Sequence, residues 1–121
     1  MITLSEREHL VAEQLSCAGW ETQLTSASGD QGIDVMAEKF GLSLVVQCKL
    51  YSKPVGNAAV QEAIAGKAFA QADYAAVVTN SGFTRSAKEL AQTSGVLLLH
   101  HDQLACIDSY ISPAKLVAAS D

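Results

Sequence analysis

Three residues bracketing one short stretch of chain carry most of the chemistry legible in this sequence. Asp34 closes the segment Gly29-Asp30-Gln31-Gly32-Ile33-Asp34-Val35, and Gln47-Cys48-Lys49 lies at the end of the next apolar run. If Phe40-Gly41 is a two-residue hairpin loop, Lys39 pairs with Leu42 and Asp34 falls opposite Gln47. Period-two alternation then puts Lys49 on the same face, while Ile33, Val35, Val46 and Cys48 point the other way into apolar packing. A carboxylate, an amide and an ammonium so placed suit metal-dependent phosphodiester hydrolysis. Mg²⁺ takes hard oxygen ligands, keeps several waters and needs only one or two protein carboxylates. A lysine beside it can orient or deprotonate the attacking water and offset charge developing on phosphate. The competing reading is a surface salt bridge between Asp34 and Lys49. The cluster depends on register, because a one-residue slip at Phe40-Gly41 would put Asp34 and Lys49 on opposite faces.

Other polar residues carry weaker signals. Glu8 sits at the edge of an apolar helical stripe, where an inward carboxylate needs a partner such as a metal or its water, alongside a capping role with Ser5. Asp30 suits an Asx-type turn better than a second metal ligand. Lys53, Lys67, Arg85 and Lys88 offer a phosphate-contacting rim, or simply solvated charge. His100-His101 are adjacent in a strand and should face opposite sides, which argues against a shared metal.

The elements that must position these groups follow from periodicity. Leu4, Val11, Leu15 and Ala18 recur at helical spacing, with Glu6, His9 and Glu13 opposite and Gly19 as a stop. Strands are expected over 20–25, 33–39 and 42–50, separated by a Ser/Gly/Asp-rich loop and by Phe40-Gly41. Asn57 can cap an Ala-rich helix to about Ala72, Tyr74 to Thr79 is a buried strand, and Thr84 caps a helix to Ser94 that Gly95 ends. A strand over 96–100 and a final helix after Asp102, ended by Ser112-Pro113, complete an α-β-β-β-α-β-α-β-α order. That order predicts an α/β fold with a mixed central sheet flanked by helices.

Length and composition bound the rest. The chain has 121 residues, 49% hydrophobic and 17% charged, and such a length buries roughly 65% of its unfolded surface. A single domain over 1–121 is expected, with a tail from about 113. Three dispersed cysteines, Cys17, Cys48 and Cys106, exclude a disulfide framework or a zinc knuckle. The formal charge of -5 argues against binding nucleic acid by bulk charge alone. No apolar run reaches a membrane span and the N-terminus has no signal-peptide core, so the expectation is a cytoplasmic protein without membrane contact.

Gly29-Asp30-x-Gly32-Ile33-Asp34, Gln47-x-Lys49, Val55-Gly56, Val60-Gln61-Glu62 and Thr79-Asn80-Ser81-Gly82-Phe83-Thr84 together resemble the Mrr-like restriction endonucleases of the PD-(D/E)xK nuclease superfamily. The resemblance runs along nearly the whole chain. It implies a restriction-endonuclease-like αβββαβ core, a Mg²⁺ or Mn²⁺ site and cleavage of DNA. By the same resemblance Asp34 matches the metal-binding aspartate, Gln47 the usual acidic position in a QxK variant, and Lys49 the catalytic lysine. Glu8 matches the first-helix glutamate, the Cys48 carbonyl completes the ligand set, and Gln61 falls where a side chain reaches phosphate or a metal water. Ile33 replaces the superfamily's proline, and Gln47 removes one negative ligand, which implies weak metal affinity. A duplex needs two cuts, so a homodimer is expected, with the final helix, Leu116 and Val117 as candidate interface. Three other readings stay open: a structure-selective enzyme like the Holliday-junction resolvases, a catalytically weak DNA-binding module of a larger assembly, and an α/β protein whose Asp34-Lys49 pair is only structural.

Overall fold

The computed structural model describes residues 4–24, 33–50 and 53–111. Helix α1 (Leu4–Cys17) leads into strands β1 (Glu21–Leu24), β2 (Val35–Lys39) and β3 (Leu42–Lys49), an antiparallel meander. Helix α2 (Asn57–Ala70) carries the chain to β4 (Tyr74–Thr79), and α3 (Arg85–Ser94) carries it to β5 (Leu97–His100). Both crossovers return parallel to the preceding strand, so the sheet runs β1-β2-β3-β4-β5. The expected α/β architecture, a mixed sheet with helices on its faces, is the one found.

The hairpin between β2 and β3 sets the register. Phe40 and Gly41 have φ of +53° and +80°, the two left-handed residues of a type I′ turn, whose twist matches that of the strands. Lys39 pairs with Leu42 and Val35 with Val46, as the sequence predicts. The far end of the ladder departs from it. Val46 already pairs with Val35, yet its carbonyl also accepts the Asp34 N–H at 2.9 Å. Two residues thus address one, the count of a β-bulge. Ile33 is thereby turned to the face opposite Val35 and packs with Val45, Val55 and Val60, correcting the expectation that it shares a face with Val35, Val46 and Cys48.

Each face of the sheet has its own core. Val35, Leu44, Val46, Val78 and Leu99 meet Val11 and Leu15 of α1 and Leu104 and Ile107 of the closing 3₁₀ helix (His101–Tyr110). Val45, Ala75 and Val77 meet Ala59, Val60 and Ala63 of α2 and Ala87 and Ala91 of α3. β3 and β4 are covered on both sides, which explains why they read as nearly continuous apolar runs. Small residues let α2 lie close to the sheet. Its N-cap is Gly56, without a side-chain cap, so Asn57 is the first helical residue and not the cap it is expected to be. Thr84 does cap α3, its hydroxyl accepting the Ala87 N–H at 3.1 Å, and Gly95 ends it at φ +80°.

The last expected helix is a 3₁₀ segment kinked at Cys106. Its apolar side chains Leu104 and Ile107, with Ile111 beyond, are fully buried, so this side serves the chain's own core and not a dimer interface. Asp108 secures it: the Trp20 indole donates to Oδ1 at 2.9 Å, and the Lys39 ammonium bonds Oδ2 while also donating to the Ala18 carbonyl at 2.8 Å. Ser112-Pro113, Leu116, Val117 and the tail from about 113 lie outside the described residues, as do Gly29, Asp30, Gln31 and Gly32 and the side chain of Ser5.

Candidate active site

β3, β4 and β5 end along one edge of the sheet, where Lys49 pairs with Thr79 and Thr79 with His100. In parallel α/β sheets the carboxyl edge is where ligands bind. The loops that follow β3 and β4 are stitched together there: the Val55 N–H donates to the Gly82 carbonyl and the Thr84 N–H to the Val55 carbonyl, each at 2.9 Å. The N-termini of α2 and α3 therefore rise from the same edge, and neither has an acidic residue in its first turn. Their partial positive charge is left for something outside.

Asp34 stands where β2 begins, so the antiparallel pairing brings it to the end of β3. Its Oδ2 accepts the Cys48 N–H at 2.7 Å. That bond is short and charge-assisted, and it clamps the carboxylate over the end of β3. Asp34 therefore caps the strand end, where simple alternation had placed it opposite Gln47. It remains within electrostatic reach of Lys49 and Glu62. Asp34 and Lys49 thus stay near one another although the bulge breaks the regular pairing.

Alternation along β3 holds for the other two. Val45 packs on the α2 side, and Gln47 and Lys49 follow it there. Gln47 is buried, and its Nε2 donates to Glu62 Oε2 of α2 at 2.8 Å. The same oxygen lies 3.6 Å from Lys49 Nζ. Among the described residues, Gln47 Oε1 is a buried side-chain oxygen with no hydrogen-bond partner. An unpaired buried carbonyl is costly, by about 1–3 kcal/mol, and calls for a donor or a cation.

Glu8 reaches this place from the other face. Its carboxyl lies above the ordinary carboxylate range, first because it is partly buried and then because Asp34 is close; His9 opposes the shift. The Asp34 carboxyl is raised for the same first reason, with Glu62 adding to it and the Cys48 N–H and Lys49 working against it. Burial, Asp34 and Glu8 also push the Cys48 thiol far up. Cys48 thus contributes its amide as a neutral residue and not a thiolate. Glu8, Asp34 and Glu62 outnumber the single ammonium of Lys49, so ionising all three leaves local negative charge that a divalent cation would offset. A buried unpaired carbonyl oxygen beside hard carboxylate oxygens fits Mg²⁺ or Mn²⁺ and not a thiolate-seeking metal.

Glu62 has no place in the reading of site residues made from sequence, which takes its neighbour Gln61 from the same motif. Gln61 is exposed on α2, and Glu62 is the one that turns to Gln47 and Lys49. The signal was available in helical spacing, since Glu62 lies three residues after Ala59 and four before Gly66, both buried against the sheet. Lys53 and Lys88 are exposed, Lys67 is half-buried, and Arg85, almost fully exposed, pairs with Glu89 at 3.2 Å. His100 and His101 do not diverge as adjacent strand residues would; the strand ends at His100, and their rings lie 4.5 Å apart.

A family described as restriction endonuclease, Mrr_cat, matches residues 2–107. The crystal structure of a protein of unknown function, AF1548, superposes with a TM-score of 0.70 at 28% identity over 81% of this chain and 58% of that one. The MspJI restriction endonuclease, solved in complex with a 27-mer oligonucleotide, gives 0.53 at 19% identity over 92% of this chain and 29% of its own. At that identity the second likeness concerns the fold alone. The chain thus spans little more than half of one similar structure and under a third of the other. No curated protein matches it.

Proposed function

Given that this chain belongs to the Mrr-like restriction-endonuclease family, within the PD-(D/E)xK superfamily, we propose that it is a divalent-metal-dependent endodeoxyribonuclease of the restriction or repair type, acting in the cytoplasm. The observation that carries the reading is the buried Gln47 Oε1, which has no hydrogen-bond partner among the described residues, next in sequence to the Cys48 N–H that clamps the Asp34 carboxylate. Asp34, Gln47 and Glu8, with the Cys48 carbonyl, are the groups that would hold Mg²⁺ or Mn²⁺. The bound cation supplies charge neutralisation on the scissile phosphate and a more acidic water.

The protein's own residues do the rest. The Cys48 N–H fixes the Asp34 carboxylate and removes its freedom to turn away. Glu62 holds Lys49 by charge and Gln47 by a hydrogen bond, so the ammonium and the amide oxygen keep a fixed relation. Lys49, mostly buried, sits where it can donate to a phosphate oxygen or, once deprotonated, take the proton of the attacking water. Glu62 also returns to the site the carboxylate that Gln47 lacks, which favours an active enzyme over an eroded DNA-binding module. Gln61 on α2, Lys53 in the loop before α2 and Arg85 on α3, all exposed, would meet the DNA backbone. The two helix N-termini add to that attraction. Duplex cleavage by one such site per chain implies a homodimer.

Cleavage of supercoiled plasmid and of a labelled four-way junction, with Mg²⁺, Mn²⁺ or EDTA, tests the proposal. Metal-dependent cutting that is lost in Asp34→Ala and Lys49→Ala supports it, and junction preference would redirect it to a resolvase-like enzyme. A folded protein that binds DNA and cuts nothing at any metal concentration overturns it.

A further inference from the structure

Two strands away from Lys49, at the same edge of the sheet, three consecutive residues form a second constellation. His100 is the last residue of β5 and His101 the first of the closing 3₁₀ helix. Between them the backbone changes from extended to helical, and this places both imidazoles on one side of the chain. Asp102 follows with its carboxylate between them: Oδ2 lies 3.4 Å from His100 Nδ1, and Oδ1 lies 3.6 Å from His101 Nε2. One donor atom from each of the three residues falls within 4.8 Å of the others. A Zn²⁺ ion with nitrogen and oxygen ligands at about 2.0–2.2 Å holds neighbouring ligands about 3.3–3.5 Å apart when tetrahedral. Each carboxylate oxygen is close to that spacing from one imidazole, and the 4.8 Å limit on the trio leaves only a small side-chain turn to close it round an ion.

The hydrogen bonding suits a cation as well. His100 Nδ1 accepts the Asp102 N–H at 3.2 Å, so this nitrogen presents a lone pair, which is what a metal requires. The bond is long for an N–H acceptor pair and would yield to a coordinate bond. Its loss leaves the junction held, because the His100 N–H donates to Gln103 Oε1, and Gln103 Nε2 to the Tyr110 hydroxyl, each at 2.7 Å. The ligand trio therefore rests on a backbone turn that does not depend on it.

We propose that His100, His101 and Asp102 form a binding site for a divalent transition-metal cation of the zinc class, with a fourth position open to water or a phosphate oxygen. Two imidazoles and a carboxylate select a borderline cation, whereas the oxygen donors around Asp34 select Mg²⁺ or Mn²⁺. The strand pairings Lys49–Thr79–His100 separate the two places by two interstrand steps, about 10 Å. The site is independent of the nuclease reading.

Co²⁺ serves as a visible probe in the full-length, EDTA-treated Asp34→Asn protein, whose candidate Mg²⁺ site is disabled. The expected result is one equivalent of Co²⁺, detected by visible absorption and displaced by Zn²⁺, with ring-proton shifts of both His100 and His101 in NMR. His101→Ala and Asp102→Asn, made in the same background, should each weaken binding at least tenfold without changing the circular dichroism. Neither supports a core contact. No binding by the parent chain, binding lost in Asp34→Asn alone, or binding indifferent to both His101→Ala and Asp102→Asn would each overturn the proposal.

Discussion

Glu62 Oε2 accepts a hydrogen bond from Gln47 Nε2 at 2.8 Å and lies 3.6 Å from Lys49 Nζ, so one helical carboxylate oxygen links the two polar residues of β3. Glu62→Gln keeps the size and an oxygen acceptor but removes the charge. Lys49 loses one of its counter-charges, and Gln47 meets an amide that can be turned either way. Supporting residues of this kind typically change metal affinity or activity about 10–100-fold. The expected outcome is a loss of that order in DNA cleavage, accompanied by a shift of the Mg²⁺ or Mn²⁺ dependence to higher concentration. A metal titration of the cleavage rate in parent and variant measures both, and a variant that cuts as the parent does would remove Glu62 from the site.

Asp34 presents a conflict between stability and activity. Burial, and then Glu62, hold its carboxyl above the ordinary value of 3.8, despite the Cys48 N–H and Lys49. Folding therefore favours the protonated form. Well below 3.8 the folded and unfolded states are both protonated and nothing is lost; stability falls as pH rises from the unfolded value through the raised folded one, and the loss is complete above it. Asp34→Asn removes this penalty, keeps an acceptor for the Cys48 N–H, and relieves Glu8 of a like charge. In EDTA the variant should exceed the parent at pH 7 by a margin that shrinks toward zero as pH falls below 3.8, by urea denaturation at each pH. Metal reverses the order, because a cation bound only to the folded parent adds about 1.4 kcal/mol at ten times its Kd.

The parts of this arrangement that could be read from sequence are those governed by local rules. Phe40-Gly41 between two apolar runs specifies a two-residue turn, and with it the pairing of Lys39 with Leu42 and of every residue up to Val35 with Val46. Thr84 and Gly95 mark the ends of α3 by the same kind of local chemistry. The face of Ile33 was not legible, because it depends on a bulge that forms where Asp34 turns to the Cys48 N–H, a contact between residues fourteen apart. Gln61 and Glu62 were hard to tell apart because the buried side of α2 is built from alanine and glycine, which leave the helix face poorly marked. The strand ends at His100 as expected, and His101 was misread only because alternation does not carry past the strand's last residue.

Asp108 makes a separate prediction about the fold. It binds the Trp20 indole and the Lys39 ammonium, with Lys39 only 14% exposed. Asp108→Ala leaves a mostly buried cation with the Ala18 carbonyl and an indole N–H without its acceptor. Hydrogen bonds to charged groups are worth about 1.5–3 kcal/mol; since Asp108 is itself 38% exposed, water replaces part of this, and a loss of about 1–3 kcal/mol is expected. Urea unfolding should show a lower midpoint with an unchanged slope. Asp108→Asn retains the indole acceptor and should fall between the two.

Lys49 separates proton chemistry from charge. Its ammonium is mostly buried beside Glu62 and within reach of Asp34. A guanidinium placed there keeps the positive charge and the phosphate-binding capacity, but it cannot give up a proton at any pH at which the protein is folded. If Lys49 only neutralises phosphate, Lys49→Arg should retain most of the activity and Lys49→Ala should lose it. If it takes the proton of the attacking water, both variants should lose about 10²–10⁴-fold, the range of general acid–base catalysis. The second outcome is the expected one, because an ammonium, unlike a guanidinium, can give up its proton to act as a base. The measurement is the single-turnover cleavage rate across pH with saturating Mn²⁺. The parent should rise with pH until the lysine is deprotonated, and the arginine variant, at its lower rate, should lack that rise.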